Sequence, residues 1–479
     1  MTRAYPPEDW GLSVEPSGTL ALEGHRLVDL AQAFGTPLHV VSTYQLQGSA
    51  RAFLASARAA YPGPVSVHYA LKCNGVPGVV EQIRAAGLGA EVCSSYELHL
   101  ALRVGVSPSD IVVNGPGKSS AFLAACLAAR VKLIVVDSLD ELAQLSRLAK
   151  GRAEPVAVLL RVNPGYIPEG VNRGTATASR HGCAFGLDLK GGEVQRALQQ
   201  LRGDGGLRLC GVHMHIGTGI RSPRAYRGAL RCLPVLRRLF QEAGRTIEVV
   251  DLGGGIASRT TREMRTVEMA LYGMLGRLPT FRPTQEMPAL DHFLAEMAQG
   301  VLQAFDGASP PELIFEPGRC IASASQCLLL TVVGVKRRPG VGTWITTDGG
   351  LSTVTMPTYY ECHEVLLCND ARRPDAARVT LNGPACFAGD IIYRNIAMPE
   401  VRPGEVLSIM DSGAYFTALE SSFGFPRPAV VLVDGIHVRL IRARETFEDM
   451  LARDILSPAP ARLPEPVPHS VLAHERRSS

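Results

Sequence analysis

Between residues 65 and 315 the chain repeats one pattern eight times: a short apolar run, closed by a polar residue or a glycine and in most repeats followed by a helix-patterned segment. The runs cover residues 65–71, 90–93, 111–113, 133–136, 156–162, 207–216, 247–252 and 313–315. Strands that alternate with helices lie parallel, because each crossover helix returns the chain to the end it started from. Eight strands close such a sheet into a (β/α)8 barrel of the TIM type. An open doubly wound sheet is the alternative, but it gathers its site mainly at one switch point. Here nearly every strand ends in a polar residue or glycine, as the convergence of eight ends on one barrel mouth requires.

After about residue 320 the pattern changes to β-rich runs separated by Gly, Pro and Asp, with no regular helices between them. This predicts a second, mostly antiparallel β domain, a small barrel or a sandwich. The expected division is an N-terminal arm and strand joining the β domain (1–43), the barrel (44–320), the β domain (321–456) and a proline-rich, disordered tail (457–479). A chain of 479 residues is too long for one core, which agrees. The net charge of +4 is small and dispersed, so nucleic acid is not an expected partner. Residues 1–10 lack a signal-peptide core, and no run is long and apolar enough for a membrane span. Eleven cysteines without paired short spacings fit reduced thiols in a cytoplasm.

Lys72 closes the first strand. It is either a solvated lysine at a strand end or a lysine that holds an aldehyde as an imine. Gly253-Gly254-Gly255 follows the seventh strand and Gly318-Arg319 the eighth, the two loops where barrels favour phosphate. Thr218 adds a hydroxyl to the same anion site. His213 and His215 lie two apart on one strand and face one side. With no third ligand evident, no metal is expected, and His215 is placed to stack on a flat aromatic cofactor. Glu316 ends the eighth strand, where a carboxylate keeps a heteroaromatic nitrogen protonated or pairs with Arg319 or Arg161. An aldehyde, a phosphate, a stacking imidazole and a carboxylate for a ring nitrogen together describe pyridoxal 5′-phosphate.

On these residues the chain resembles the diaminopimelate and ornithine decarboxylases, pyridoxal-phosphate enzymes of the alanine-racemase-like barrel (fold type III). The resemblance runs from about residue 35 to 435. Its markers are Tyr69-Ala-Leu-Lys72-Cys-Asn, Asn114-Gly-Pro-Gly-Lys118, Leu160-Arg-Val-Asn-Pro164, His213-Met-His-Ile-Gly-Thr218, Asp251-Leu-Gly-Gly-Gly255, Glu316-Pro-Gly-Arg319, Gly383-Pro-Ala-Cys-Phe-Ala-Gly-Asp390 and Asp411-Ser-Gly-Ala-Tyr415. It implies that Lys72 carries the cofactor, His215 stacks on its ring and Glu316 pairs with the pyridine nitrogen. Thr218, Gly254, Gly255, Gly318 and Arg319 would surround phosphate and substrate, and Cys386 and Tyr415 would reach the cofactor from the second domain. Cys386 or the freed Lys72 would return a proton to the substrate. A head-to-tail homodimer with shared sites is also implied.

Three departures bear on the substrate. Phe387 stands where the diaminopimelate enzymes have a Glu for the substrate's far end, and Met356, near Tyr360, where they have an Arg for the distal carboxylate. Glu91 replaces an Asp. Arg173 or Arg180 are candidates to compensate. The reading is a decarboxylase of specialised metabolism acting on an amino acid or acylated derivative other than diaminopimelate. The rival is a meso-diaminopimelate decarboxylase of lysine synthesis; a racemase or a non-catalytic homologue is less favoured. Residues 256–301 are a longer link than the family's, with Met264, Met269, Leu271, Met274 and Leu275 expected as local core, or as a lid.

Overall fold

The computed structural model describes residues 5–168, 176–276, 278–283 and 285–454. The chain falls into one unit ending at Arg444 and another beginning at Glu445. In the second, the short helix Phe447–Leu451 is capped by the Thr446 hydroxyl, which accepts from the Asp449 N–H. The tail at 457–479 lies outside the described residues.

The eight expected strands are β1 Val65–Ala70, β2 Gly89–Val92, β3 Ile111–Val113, β4 Leu133–Val136, β5 Val156–Asn163, β6 Leu207–His213, β7 Val249–Asp251 and β8 Glu312–Phe315. All pair in parallel, β8 beside β1 and β4 beside β5, so the sheet closes on itself. Side chains alternate between two cores, as the strand period of two demands. Val112, Leu133, Val135, Leu159, Cys210, Val249 and Ile314 form one buried cluster. Their neighbours Val113, Ile134, Val136, Val158 and Leu160 join a second cluster with the surrounding helices. Burying each such side chain stabilises the fold by about 1.5–3 kcal/mol before entropy is charged against it.

Two element boundaries differ from the pattern. The helix expected over 224–243 is two, Arg224–Leu230 and Leu233–Glu242, because Pro234 has no N–H to continue a helix and suits a first turn. Strand β6 stops at His213, and His215 follows on a loop whose Met214 N–H donates to the Asp251 carbonyl at 2.8 Å.

In the β domain the long strand Gln326–Arg338 pairs antiparallel with Gly342–Thr347, Val406–Ile409 and the N-terminal strand Leu38–Ser42. Leu38–Ser42 also lies parallel to Ala429–Asp434. Alternate residues of the long strand feed different cores, Cys327 and Leu329 one, Leu328 and Leu330 the other. The arm before it is more ordered than its sequence suggests. Leu12–Val14, Leu20–Leu22 and His25–Arg26 form a small antiparallel sheet, and Trp10 joins the core and donates to Asp411 Oδ2 at 2.8 Å. These runs are too short for alternation to be visible in sequence.

Within 256–301 the local-core expectation holds only for Met264, which is buried. Met269, Leu271, Met274 and Leu275 lie on the helix Thr266–Leu275, which buries no residue; Met274 is 81% exposed. That helix is held by polar contacts instead: Glu268 pairs with Arg262, and the Tyr272 hydroxyl accepts from the Arg394 N–H at 2.7 Å.

Candidate active site

The polar strand ends meet at one mouth. Lys72 lies two residues past β1, and its Nζ is hydrogen bonded to the Glu91 carboxylate on β2. Burial works against a charged amine there, but Glu91 and then Glu316 hold Lys72 protonated. Glu91 is itself pushed up by burial and pulled back by Lys72.

Glu316 is buried past the end of β8. Asn114 Nδ2 donates to its Oε1 at 2.5 Å, and His213 Nε2 lies 3.3 Å from its Oε2. Asp251, from the end of β7, is held well above the usual carboxylate range by burial and by the charge of Glu316. Burial pushes Glu316 up as well, but Lys72 and then Asp251 pull it back, so of the two carboxyls Asp251 holds its proton more strongly and Glu316 is the more acidic. His213 is pushed well down by burial and by Arg161 and Lys72, so it is neutral. His213, Asp251 and Glu316 each bring a ligand-type atom within 4.8 Å of the others. The cluster holds only one of the two histidines, and the His213 Nε2 in it already lies against Glu316.

His215 is also held neutral, again by burial first and then by Arg161 and Lys72. The Gly254 N–H donates to its Nδ1 at 3.1 Å, which assigns the ring proton to Nε2. The glycines fit because nothing larger would. A Cβ at Gly254 would come 2.3 Å from the Glu316 carbonyl oxygen, and one at Gly255, whose φ is +106°, 2.2 Å from that of Gly217. Thr218 is half-buried in the next loop residue but one from Ile216.

Tyr415 reaches the same mouth within its own chain. Its backbone is left-handed, with φ +67°, and its N–H donates to the Cys73 carbonyl at 2.8 Å. Arg319 lies over its ring, 5.0 Å from the centroid. Arg319 is paired through Nη1 at 2.9 Å and Nη2 at 2.8 Å with Glu361, which is fully buried and also meets His363 Nε2 at 3.0 Å. Arg161 lies 3.6 Å from Asp137. Both arginines that could have claimed Glu316 are therefore engaged elsewhere.

Other expected residues are not brought to this mouth. Cys386 and Phe387 are exposed on the β domain, in a turn whose Ala385 N–H is held by Asp390, and the Phe387 ring meets Phe423 at 6.1 Å. Met356 is buried in the β-domain core with Leu330 and Phe416. Tyr360, by contrast, lies beside the mouth: it is half-buried near Glu361, Glu263, Arg319 and Tyr415, and its carbonyl accepts from the Met264 N–H at 2.7 Å. Arg180 pairs with Asp188 at 2.7 Å, and Arg173 lies outside the described residues. Asn114 and Asp251 stood in the motifs without a role; their places at the ends of β3 and β7 were the signal. Glu361 gave none, because its partner is 42 residues away in sequence.

The residues fit pyridoxal 5′-phosphate. Lys72 offers the amine, Glu316 an anion, His215 a neutral ring and the glycines a close backbone. His213 Nδ1, Asn114 Oδ1 and Arg319 Nε are buried polar atoms still without partners.

Residues 47–323 match the family model described as the pyridoxal-binding domain of pyridoxal-dependent decarboxylases. The chain is 35% identical to a diaminopimelate decarboxylase of Actinosynnema pretiosum subsp. auranticum, over 91% of this chain and 93% of that one. It is 28% identical to the diaminopimelate decarboxylase of Bacillus subtilis, over 91% and 95%. Its fold matches the crystal structure of diaminopimelate decarboxylase from M. jannaschii in complex with L-lysine, with a TM-score of 0.80, 27% identity and coverage of 93% and 98%. Among the described residues no helix is long and apolar enough to cross a membrane. With the barrel, the lysine and the carboxylate of its mouth, and these relatives in agreement, the chain belongs to the fold type III pyridoxal-phosphate-dependent decarboxylases and is an amino-acid carboxy-lyase.

Proposed function

We propose that the enzyme removes the α-carboxylate of an amino acid, or an acylated derivative, whose far end is not the amino-carboxylate of meso-diaminopimelate, and that it serves specialised metabolism in the cytoplasm. The observation that carries this is the pairing of Arg319 with Glu361. A distal carboxylate needs an open cation, best a bidentate arginine. The arginine at the mouth already has its carboxylate, and Met356 stands where the resemblance puts a second. The second reading, meso-diaminopimelate decarboxylation, is favoured by the relatives, which carry that name.

Pyridoxal phosphate, when bound, supplies a sink for the electron pair left as the carboxylate departs. In this reading Lys72 would hold it through Nζ, with Glu91 placed to take a proton from that amine. Glu316, the more acidic of the buried pair with Asp251, would keep the ring nitrogen protonated, and His215 would offer a neutral ring beside it. Thr218, Gly254, Gly255 and Gly318 would hold phosphate and substrate, with Arg319 able to contribute only its unpartnered Nε, and Tyr415 would flank Arg319 at the mouth. Cys386 Sγ or Lys72 Nζ returns a proton to Cα.

Cys386 faces solvent in one chain, which supports a homodimer in which it completes the partner's site. Mixing Lys72→Ala with Cys386→Ala chains is then expected to restore activity, since one hybrid site is intact. No recovery in verified heterodimers would place the site in one chain.

The substrate is tested with a panel of amino acids and carbon dioxide release. Unpaired desolvated charge costs several kcal/mol, so meso-diaminopimelate should be turned over at least about 100-fold less well than the best substrate. Turnover of meso-diaminopimelate above every other amino acid would restore the second reading.

A further inference from the structure

Two glutamates face each other where the 256–301 segment meets the β domain. Arg262–Glu263 runs antiparallel to Glu361–Cys362, with Glu263 directly opposite Glu361. Residues so paired project to one face with Cβ atoms about 5 Å apart, and like charges there repel. Glu361 is compensated by Arg319 and His363. Glu263 pairs with no side-chain cation among the described residues, and its Oε1 is buried without a hydrogen-bond partner. A buried, unsatisfied carboxylate oxygen is costly and calls for a donor.

The position of that oxygen is informative. A Cβ at Gly219 would come 2.4 Å from Glu263 Oε1, so the carboxylate rests on the bare backbone of the loop that carries Thr218. The charges acting on Lys72 are Glu91, Glu316 and Tyr415; those acting on Arg319 are Glu361, Tyr415 and Glu263. Tyr415 is common to both, so Glu263, opposite Glu361 and against the Thr218 loop, belongs to the group of side chains around Arg319 at the mouth. Arg221 is the other cation near it, but four of its five N–H donors go to the carbonyls of Ser258, Arg259, Thr261 and Gln285.

We propose that Glu263 is a specificity residue of this site: its carboxylate receives an ammonium or guanidinium group at the far end of the substrate. This rests on the reading that the substrate lacks a distal carboxylate, and it names what stands there instead. A carboxylate that accepts a cationic donor makes one of the stronger polar contacts available, and a neutral tail would leave it unsatisfied. Burial, and then the facing Glu361, hold the Glu263 carboxyl at about 7, against the pull of Arg319 and Arg221. Tyr360, half-buried beside them, is raised by burial and by the same two glutamates and stays neutral. Capture of the cation should therefore weaken as the pH falls through about 7.

The test is equilibrium binding to the cofactor-loaded enzyme, followed by the cofactor's absorbance, so it does not depend on knowing the substrate. The probes are α,ω-diamines of two to six carbons and the matched monoamines. In the wild type at least one diamine is expected to bind about 10-fold or more tightly than its monoamine. In Glu263→Gln the advantage falls below about 3-fold, and in Glu263→Asp, which keeps the charge, most of it remains. The wild-type advantage should also fade below about pH 7 and be pH-independent in Glu263→Gln. The assignment is overturned if no diamine outbinds its monoamine, or if the advantage survives Glu263→Gln. The reading beneath it fails separately, by preferred turnover of meso-diaminopimelate in the carbon dioxide panel.

Discussion

Glu316→Gln is expected to lower kcat by about 10²–10³-fold while leaving the protein as stable as the wild type or more so. Two effects of one substitution thus run in opposite directions. Glutamine preserves the shape and can still accept from Asn114 Nδ2, which donates at 2.5 Å in the wild type. It removes the negative charge that keeps the cofactor's ring nitrogen protonated, and with it most of the electron sink. For stability the same charge is a burden. It is buried beside Asp251, which burial first and then this charge hold well above the usual carboxylate range. Replacing it removes a desolvated anion and its repulsion on Asp251, which burial still keeps raised. Steady-state kinetics and thermal melting of the same preparation check both halves. Unchanged kcat would remove Glu316 from the chemistry, and a large drop in Tm would make it a structural residue.

Lys72→Ala is expected to abolish decarboxylation, by at least about 10³-fold. The variant should also show a pH-dependent loss of stability with its origin in Glu91. Breaking a fully buried ion pair costs about 3–5 kcal/mol; the Lys72 side chain is 41% exposed, so about 1–2 kcal/mol is expected here. Burial already holds Glu91 above its ordinary value, and Lys72 is the charge that pulls it back. Without Lys72 the folded-state value rises further. A carboxyl whose folded value exceeds its unfolded value favours the fold at acid pH and loses that contribution as the pH rises through the folded value. The deficit relative to wild type should therefore shrink across the range from neutral pH down toward the ordinary carboxylate value. Adding Glu91→Gln should remove the dependence. Melting curves across that range decide it, and a deficit that grows on acidification would contradict the assignment.

The barrel and most of its mouth were legible because both are local. Strand period, glycines at strand ends and the lysine after β1 each declare themselves within a few residues, and closure of the sheet brings all eight ends together without further information. What stayed hidden depends on distance in sequence. Asp251 becomes a proton holder because the closed barrel buries it and brings Glu316 beside it. Glu361 neutralises Arg319, and Glu263 opposes Glu361, through a ladder joining segments about a hundred residues apart. The exposed helix Thr266–Leu275 misled for a related reason. Its apolar residues recur at helical spacing, which ordinarily marks a core face, but among the described residues nothing buries any residue of it.

The central claim is that the lysine at the end of β1 carries the cofactor, and it is tested most directly by borohydride reduction of the loaded enzyme followed by peptide mapping. The competing lysines have other surroundings. Lys118 Nζ is buried, 3.0 Å from Glu141, and Lys336 lies on the β-domain strand Gln326–Arg338. The account predicts a yellow protein and a single pyridoxyl-bearing peptide with the modification at Lys72. A label on Lys118 or Lys336, with Lys72 unmodified, would contradict it.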